Sequence, residues 1–284
     1  MKLFSAIVSV LLFTGSLSAQ IVWQTTNGPF GPDRINRMTI APSGDIYLYA
    51  DTLLRSVNNG ASWTGMSTGG YLYSALLAVS ATEFFAGDNS ALRHSTDGGA
   101  TWPQITNLGI NPIGVYAIEK NAAGDLFVGT NNHVFRSTNN GSTWNRYTSG
   151  LPSSAVYSIS FPASQIVLAG TFSGIGRSTN NGVSWSAVSG GPTGQQIPKI
   201  LSTGTGTCYA IGTNGVFKSV DDGASWTNIT SGIPDTSFAS GGFDPAGNLI
   251  VGANNAGLYR TVNGGATWAS VSSGALFPFA TGIA

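Results

Sequence analysis

The chain has 284 residues, of which 42% are hydrophobic and only 8% are charged, with 39 glycines; an ordinary soluble protein carries about 25% charged residues and about 7% glycine. Twelve Lys and Arg balance twelve Asp and Glu, so no positive field exists to release counterions from nucleic acid, and that class of partner is excluded. The single cysteine, Cys208, excludes an internal disulfide framework and reads as a buried, inert thiol.

In chain order, residues 1–19 have the form of a secretory signal: Lys2, an apolar run from Leu3 to Leu12, then small residues up to Ala19. The mature chain, residues 20–284, is therefore expected outside the cytoplasm, in the periplasm, at the cell surface or beyond it. No later stretch reaches the roughly 18 apolar residues that a membrane-spanning helix needs. Next comes "IVWQTTNGPFG", residues 21–31, an aromatic followed by polar residues and a turn signal. It has the layout of one unattached strand.

Six eight-residue segments then recur: "SVNNGASW" at 56, "STDGGATW" at 95, "STNNGSTW" at 137, "STNNGVSW" at 178, "SVDDGASW" at 219 and "TVNGGATW" at 261, spaced by 39 to 42 residues. The first place is Ser56, Ser95, Ser137, Ser178, Ser219 or Thr261, whose hydroxyl can bond nearby backbone. The third is Asn58, Asp97, Asn139, Asn180, Asp221 or Asn263, which keeps an acceptor oxygen and dispenses with the charge in four copies. The fifth is Gly60, Gly99, Gly141, Gly182, Gly223 or Gly265, free to take a positive φ. The last is Trp63, Trp102, Trp144, Trp185, Trp226 or Trp268, which offers a large apolar face to a neighbouring sheet. A calcium loop needs several carboxylate or carbonyl oxygens per site, and four copies lack a carboxylate at the third place, so these segments are expected to be architectural knots and to hold no metal.

Each repeat also carries four β-like pieces, clearest in the third: "VYAIEK", "DLFVGT", "HVFRS" and, after the knot, "TWNRYT". We call them A to D. Four strands in a unit of about 40 residues is the sequence form of a β-propeller blade, so the expected fold is all-β: one propeller with six complete four-stranded blades. Trp23 then belongs to an extra D strand, and the terminal "GALFPFATGIA" reads as an extra A strand. Together they imply a seventh blade, incomplete at the C-terminus and closed by the N-terminal strand. A six-bladed ring with two spare strands is the alternative.

The knots resemble the Asp-box, or bacterial neuraminidase repeat, Ser-x-Asp-x-Gly-x-Thr-Trp, over nearly the whole mature chain. In such propellers the D-to-A and B-to-C loops form the functional face, opposite the knots. That resemblance assigns Asp45, Glu83, Asp125 and Asp244, in or beside A-to-B turns, to the other face, and leaves Asp33, Asp51, Asp88 and Asp235 as loop-face acids. Arg55, Arg136, Arg177, Lys218 and Arg260 immediately precede knots, with His94 in the equivalent place, and recurrence marks them as structural. Sialidases would need three convergent arginines, a Tyr nucleophile and a Glu partner; here Arg34, Arg37 and Arg146 are the remaining arginines and the glutamates are misplaced. The xyloglucan-cleaving propeller hydrolases place a catalytic Asp where "YLYADTLLRS" offers Asp51, but their neighbouring Arg-Thr is missing here. The chain also resembles photosystem assembly factors and other exported propellers that act as binding scaffolds. The expectation is a monomeric, non-catalytic scaffold for a protein or glycan, without cofactor, whose loop-face contacts include Phe30, Arg34, Arg37, Tyr71 and Phe172; the alternative is a glycoside hydrolase with Asp51 as its candidate acid. His94 and His133 are expected to be surface or satisfied residues.

Overall fold

The structure is a computed structural model and describes residues 37–49, 52–70, 74–106, 108, 114–235 and 237–271. Trp23, Phe30, Asp33, Arg34, Asp51 and Tyr71, together with the two terminal strands expected of a seventh blade, lie outside them.

Within them the chain is a six-bladed β-propeller of antiparallel sheets. The first blade holds β1 (Arg37–Ile40), β2 (Ile46–Tyr49), β3 (Leu53–Ser56) and β4 (Thr64–Met66), and the second β5 (Ala75–Ala78), β6 (Phe84–Gly87) and β7 (Leu92–Ser95). The third holds β8 (Val115–Lys120), β9 (Leu126–Thr130), β10 (Val134–Ser137) and β11 (Asn145–Arg146), and the fourth β12 (Val156–Ala163), β13 (Ile166–Thr171), β14 (Gly174–Ser178) and β15 (Ser186–Ala187). The fifth holds β16 (Lys199–Ser202), β17 (Cys208–Gly212), β18 (Gly215–Ser219) and β19 (Thr227–Asn228), and the sixth β20 (Phe238–Phe243), β21 (Leu249–Ala253), β22 (Gly257–Thr261) and β23 (Ala269–Ser270). Each blade runs in order from an inner to an outer strand. In the second the outer strand shrinks to one bridge, Arg93 to Gln104. Pro103 follows the knot tryptophan there and lacks the N–H that a ladder needs.

The inner strands β1, β5, β8, β12, β16 and β20 pack side by side in chain order, and among the described residues no comparably extensive contact returns from β20 to β1. Middle strands are buried on both faces, as in Leu126–Thr130 and Cys208–Gly212, and so read as continuous apolar runs without alternation. The core is a series of clusters between blades: Phe84 with Tyr47 and Trp102, Phe85 with Val128 and Trp144, Phe127 with Val167 and Trp185. Large aromatics recur in each of these clusters beside aliphatic side chains.

Each knot closes through its own side chains. In the third blade Ser137 Oγ accepts from the Gly141 amide at 2.8 Å and donates to Asn139 Oδ1 at 2.9 Å, while Asn139 Oδ1 accepts from the Thr143 amide at 2.9 Å. The fifth-place glycine has φ of 83° there, and the fourth-place residue, Asn140, is also left-handed at 52°. Two successive positive φ values make the reversal tight enough to seat the glycine against Phe85 of the preceding blade. In four blades the basic residue ahead of the knot meets the A-to-B turn acid of its own blade: Arg55 with Asp45, Arg136 with Asp125, Arg260 with Asp244 and His94 with Glu83. The sequence separates these partners by 10 to 16 residues. Arg177 donates to the Asp222 carbonyl at 2.9 Å, tying the fourth blade to the fifth knot.

Candidate functional site

Inner strands enter from the D-to-A loops, so their first residues lie at the loop-side end of the channel that they enclose. Tyr116 and Tyr157, each second in its strand, stack there with ring centroids 5.0 Å apart and planes 14° from parallel. Both follow a buried valine, Val115 or Val156, and both occupy a bulge, where one residue of the inner strand has no partner on the next. The bulge turns the ring out of the interblade core and into the channel. Burial, and then the neighbouring Tyr116, push the Tyr157 hydroxyl above its usual range.

Two other inner strands begin with a basic residue. Arg37 opens β1 and donates from Nε to the Ser74 carbonyl of the second blade, and burial lowers its pKa. Lys199 opens β16. Glu119, further along β8, is exposed at the strand's far end. Enclosure pushes its carboxyl up, and Lys199 acts against that rise. The sequence puts Glu119 on an inner strand next to a turn, where it is misplaced for a sialidase, and gives Tyr116, Tyr157 and Lys199 no part; the signal that could have found the two tyrosines is a tyrosine immediately after the first buried valine in two consecutive inner strands.

The loop-face acids that the structure describes are committed. Asp88, in the second B-to-C turn, accepts from the Ser90 amide at 2.6 Å, the Ala91 amide at 2.7 Å and Arg93 Nε at 3.2 Å. Burial would raise its carboxyl, but these bonds outweigh burial and hold it below the ordinary value. Asp235, in the fifth D-to-A loop, accepts from the Ser237 amide at 3.1 Å and the Asn255 amide at 2.7 Å. Both acids shape their own loops. Phe172 lies in the fourth B-to-C turn at 57% exposure, and Arg37 is the other expected contact residue within the described region.

The histidines divide. His94 Nε2 meets Glu83 Oε1 at 2.9 Å and stacks on Phe85, as a satisfied residue does. His133, in the third B-to-C turn, does not fit that description: its Nδ1 is buried without a hydrogen-bond partner, as is Asn131 Oδ1 in the same turn. Burial, and then the charge of Arg146, lower the pKa of its ring. Among the described residues no three His, Cys, Asp or Glu side chains gather as a metal site. A depression of about 450 Å³ opens at the opposite end of the channel among Ile40, Pro42, Leu77, Val79, Lys120 and Asn121.

No protein-family model matches the chain, and no curated protein matches it in sequence. Solved structures match it in shape. The extracellular domain of BT4673 from B. thetaiotaomicron is 16% identical, with a TM-score of 0.66 over 82% of this chain and 32% of that one. The GH74 xyloglucanase from Xanthomonas campestris is 17% identical, with a TM-score of 0.66 over 83% of this chain and 45% of its own. YCF48 bound to D1 peptide is 17% identical, with a TM-score of 0.62 over 83% of this chain and 81% of its own; YCF48 from Cyanidioschyzon merolae, at 14% identity, has a TM-score of 0.57 over 75% and 78%. The chain thus spans about a third of the BT4673 domain and most of YCF48. At these identities the likeness is one of fold, which extracellular domains, a peptide-bound protein and polysaccharide hydrolases have in common: the β-propeller.

Proposed function

We propose that the protein is an exported, non-catalytic binding module that holds a protein or glycan partner on its loop face, over the channel mouth. The observation that carries this reading is the commitment of Asp88 and Asp235 to their own loops. Glycoside hydrolysis needs two carboxyls at one mouth, one of them free to carry a proton at working pH, and neither of these is available for it. What the face offers is an aromatic pair, Tyr116 and Tyr157, with Arg37 and Lys199 at the starts of two other inner strands, Phe172 exposed in the fourth turn and two unsatisfied polar atoms in the third turn. Aromatic planes with a few convergent polar groups suit a peptide or a sugar ring. The extracellular domains and the peptide-bound YCF48 among the structural matches support a binding role outside the cytoplasm; the xyloglucanase keeps the hydrolase as the rival.

The test is to incubate the purified protein with xyloglucan, other β-glucans and sialosides while screening a glycan array and a peptide library for retained ligands. Retention without turnover, weakened about tenfold by Tyr157→Ala, is the expected outcome. Turnover abolished by Asp51→Asn overturns the proposal.

A further inference from the structure

The cation ahead of a knot is held by groups from two blades, and the fifth blade keeps the cation without them. In the third blade Arg136 lies 5.8 Å over the Phe127 ring, gives Nη2 to Asp125 at 2.8 Å and gives Nη1 to the carbonyl of Asn181, the fourth-place residue of the next knot. Asn181 Nδ2 also reaches Asp125, at 2.8 Å. One cation is thus met by an acid of its own blade and an amide residue of the next. The second blade repeats the scheme with His94, Glu83 and Asn140.

Lys218 takes the same place in the fifth blade, 5.9 Å over the Tyr209 ring. Its acid is gone: Asp125 stands 11 residues before Arg136, and the residue in that position relative to Lys218 is Thr207, which ends a turn of sequence "TGTGT". The amide residue is gone as well. The fourth place of the sixth knot is Gly264, and Lys218 Nζ stands 2.5 Å from where a Cβ of that glycine would be. Among the described residues Lys218 forms no ion pair. Asp221, in the knot that Lys218 precedes, spends its carboxylate on the Ser219 and Ser225 hydroxyls and the Ser225 amide.

A cleft of about 350 Å³ opens here, on the knot side, between the fifth and sixth blades; Lys218, Val220, Thr227, Ile229, Gly264 and Ala266 line it. Thr227 pairs directly with Lys218 across β18 and β19, so the two side chains leave the same face of the blade. An ammonium and a hydroxyl side by side are two donors for the two oxygens of one carboxylate. The walls are aliphatic, with Val220 at 72% exposure, and no aromatic side chain lines them to give a sugar ring a platform.

We propose that this cleft binds an aspartate or glutamate side chain of an extended polypeptide partner. The partner's carboxylate supplies to Lys218 the charge that Asp125 supplies to Arg136, with Thr227 as second donor, and its aliphatic neighbours rest on Val220 and Ile229. The site is independent of the binding role proposed for the loop face.

The test is a titration of the full chain, labelled with ¹⁵N, with the peptide acetyl-Val-Glu-Val-amide. Saturable shifts at the Thr227 and Gly264 amides are expected, with those of Tyr116 and Tyr157 on the loop face unmoved, and the Gln counterpart of the peptide should bind about tenfold more weakly or worse. Lys218→Met should abolish binding. Two variants ask the same question without removing the cation. Thr207→Asp supplies an internal acid at the spacing of the third blade, and Gly264→Asn fills the cleft with the residue that stands left-handed at the fourth place in the first, third and fourth knots, at φ of 52 to 54°; each should weaken binding about tenfold or more. Equal binding of the Glu and Gln peptides, wild-type binding by Thr207→Asp, or the absence of saturable shifts up to about 10 mM peptide overturns the proposal. Acetate or glucuronate displacing the peptide at equal concentration overturns its assignment to a polypeptide.

Discussion

The Ser225 hydroxyl donates to Asp221 Oδ2 at 2.6 Å in the place where Asn139 Nδ2 donates to Thr143 Oγ1 at 2.8 Å, so one hydrogen-bond ring is closed with opposite polarity in different blades. Thr101 and Asp97 repeat the acidic version at 2.5 Å. Hydroxyls accommodate both because they donate and accept equally well. Only the acidic rings respond to protons.

Those rings give the knots a pH dependence. Hydrogen bonds from the Thr101 and Ser225 side chains, and then from their amides, hold Asp97 and Asp221 at about 2, below the ordinary 3.8. A depressed carboxyl adds stability that is fully present above the unfolded value and is lost as pH falls from about 4 towards 2. The double variant Asp97→Asn, Asp221→Asn should therefore have a melting temperature that falls less between pH 4 and pH 2 than the wild type, and a parallel fall in both proteins would contradict the assignment. Thermal melts across that range decide it.

The tryptophan and the glycine of a knot should be separately indispensable. Trp144 is 9% exposed, and Trp144→Ala should cost about 3–5 kcal/mol by transfer and cavity terms. Gly141→Val forces a β-branched residue to φ of 83°, with its Cβ placed 3.0 Å from Phe85, and should destabilise by more than the backbone strain of about 1–3 kcal/mol alone. Denaturant titration measures both.

Asp125 ties two blades together. It accepts from Arg136 Nη2 and from Asn181 Nδ2 of the next knot, each at 2.8 Å. Removing it strands a guanidinium that is only 15% exposed and a buried amide. Asp125→Ala should cost about 2–4 kcal/mol, and Asp125→Asn, which keeps the acceptor for Asn181, should cost less. The pair is compared by urea unfolding.

Glu119 should be a stability liability at neutral pH. Its carboxyl is raised above the ordinary 4.5 by enclosure, with Lys199 opposing, so the folded state disfavours the anion, and the penalty is present at high pH and relieved as pH falls through the raised value. Glu119→Gln should raise the melting temperature at pH 7 and have no advantage at pH 3.5, where the acid is protonated in both states. A variant that is no more stable at pH 7 would place the wild-type carboxylate in a better solvated position.

Legibility in the sequence followed the range of the interactions. The knots were readable because their ring is closed within eight residues by side chains of fixed chemistry, and the glycine, hydroxyl and amide requirements are local. The six blades of the described residues were readable for the same reason, and the expected seventh falls outside those residues. The Tyr116–Tyr157 stack was not, because period-two alternation assigns Tyr116 by parity, and the bulges between Val115 and Ala117 and between Val156 and Ser158 break parity where the rings turn inward. The ion pairs were half readable. The basic residue and the acid were each seen to recur, but their meeting depends on the register of paired strands, and the second blade uses His94 with Glu83 where the first, third and sixth use arginine with aspartate.

The indoles of Trp102, Trp185 and Trp268 donate to carbonyls of the blade before their own, and that backward reach bears on how such a ring can change size. Each junction is specified by one knot and the outer segment just before it, and its parts repeat with the unit. A duplication or deletion of one whole unit, cut at any position within the loop that links an outer strand to the next inner strand, recreates a junction of the same composition at the scar. Mispairing within a blade is penalised at once by a tryptophan with nothing to hold, whereas the number of blades carries no such local penalty. Size is thus left to the curvature that the inner strands tolerate, and the loop face can be altered one blade at a time without rewriting the stitching on the other side.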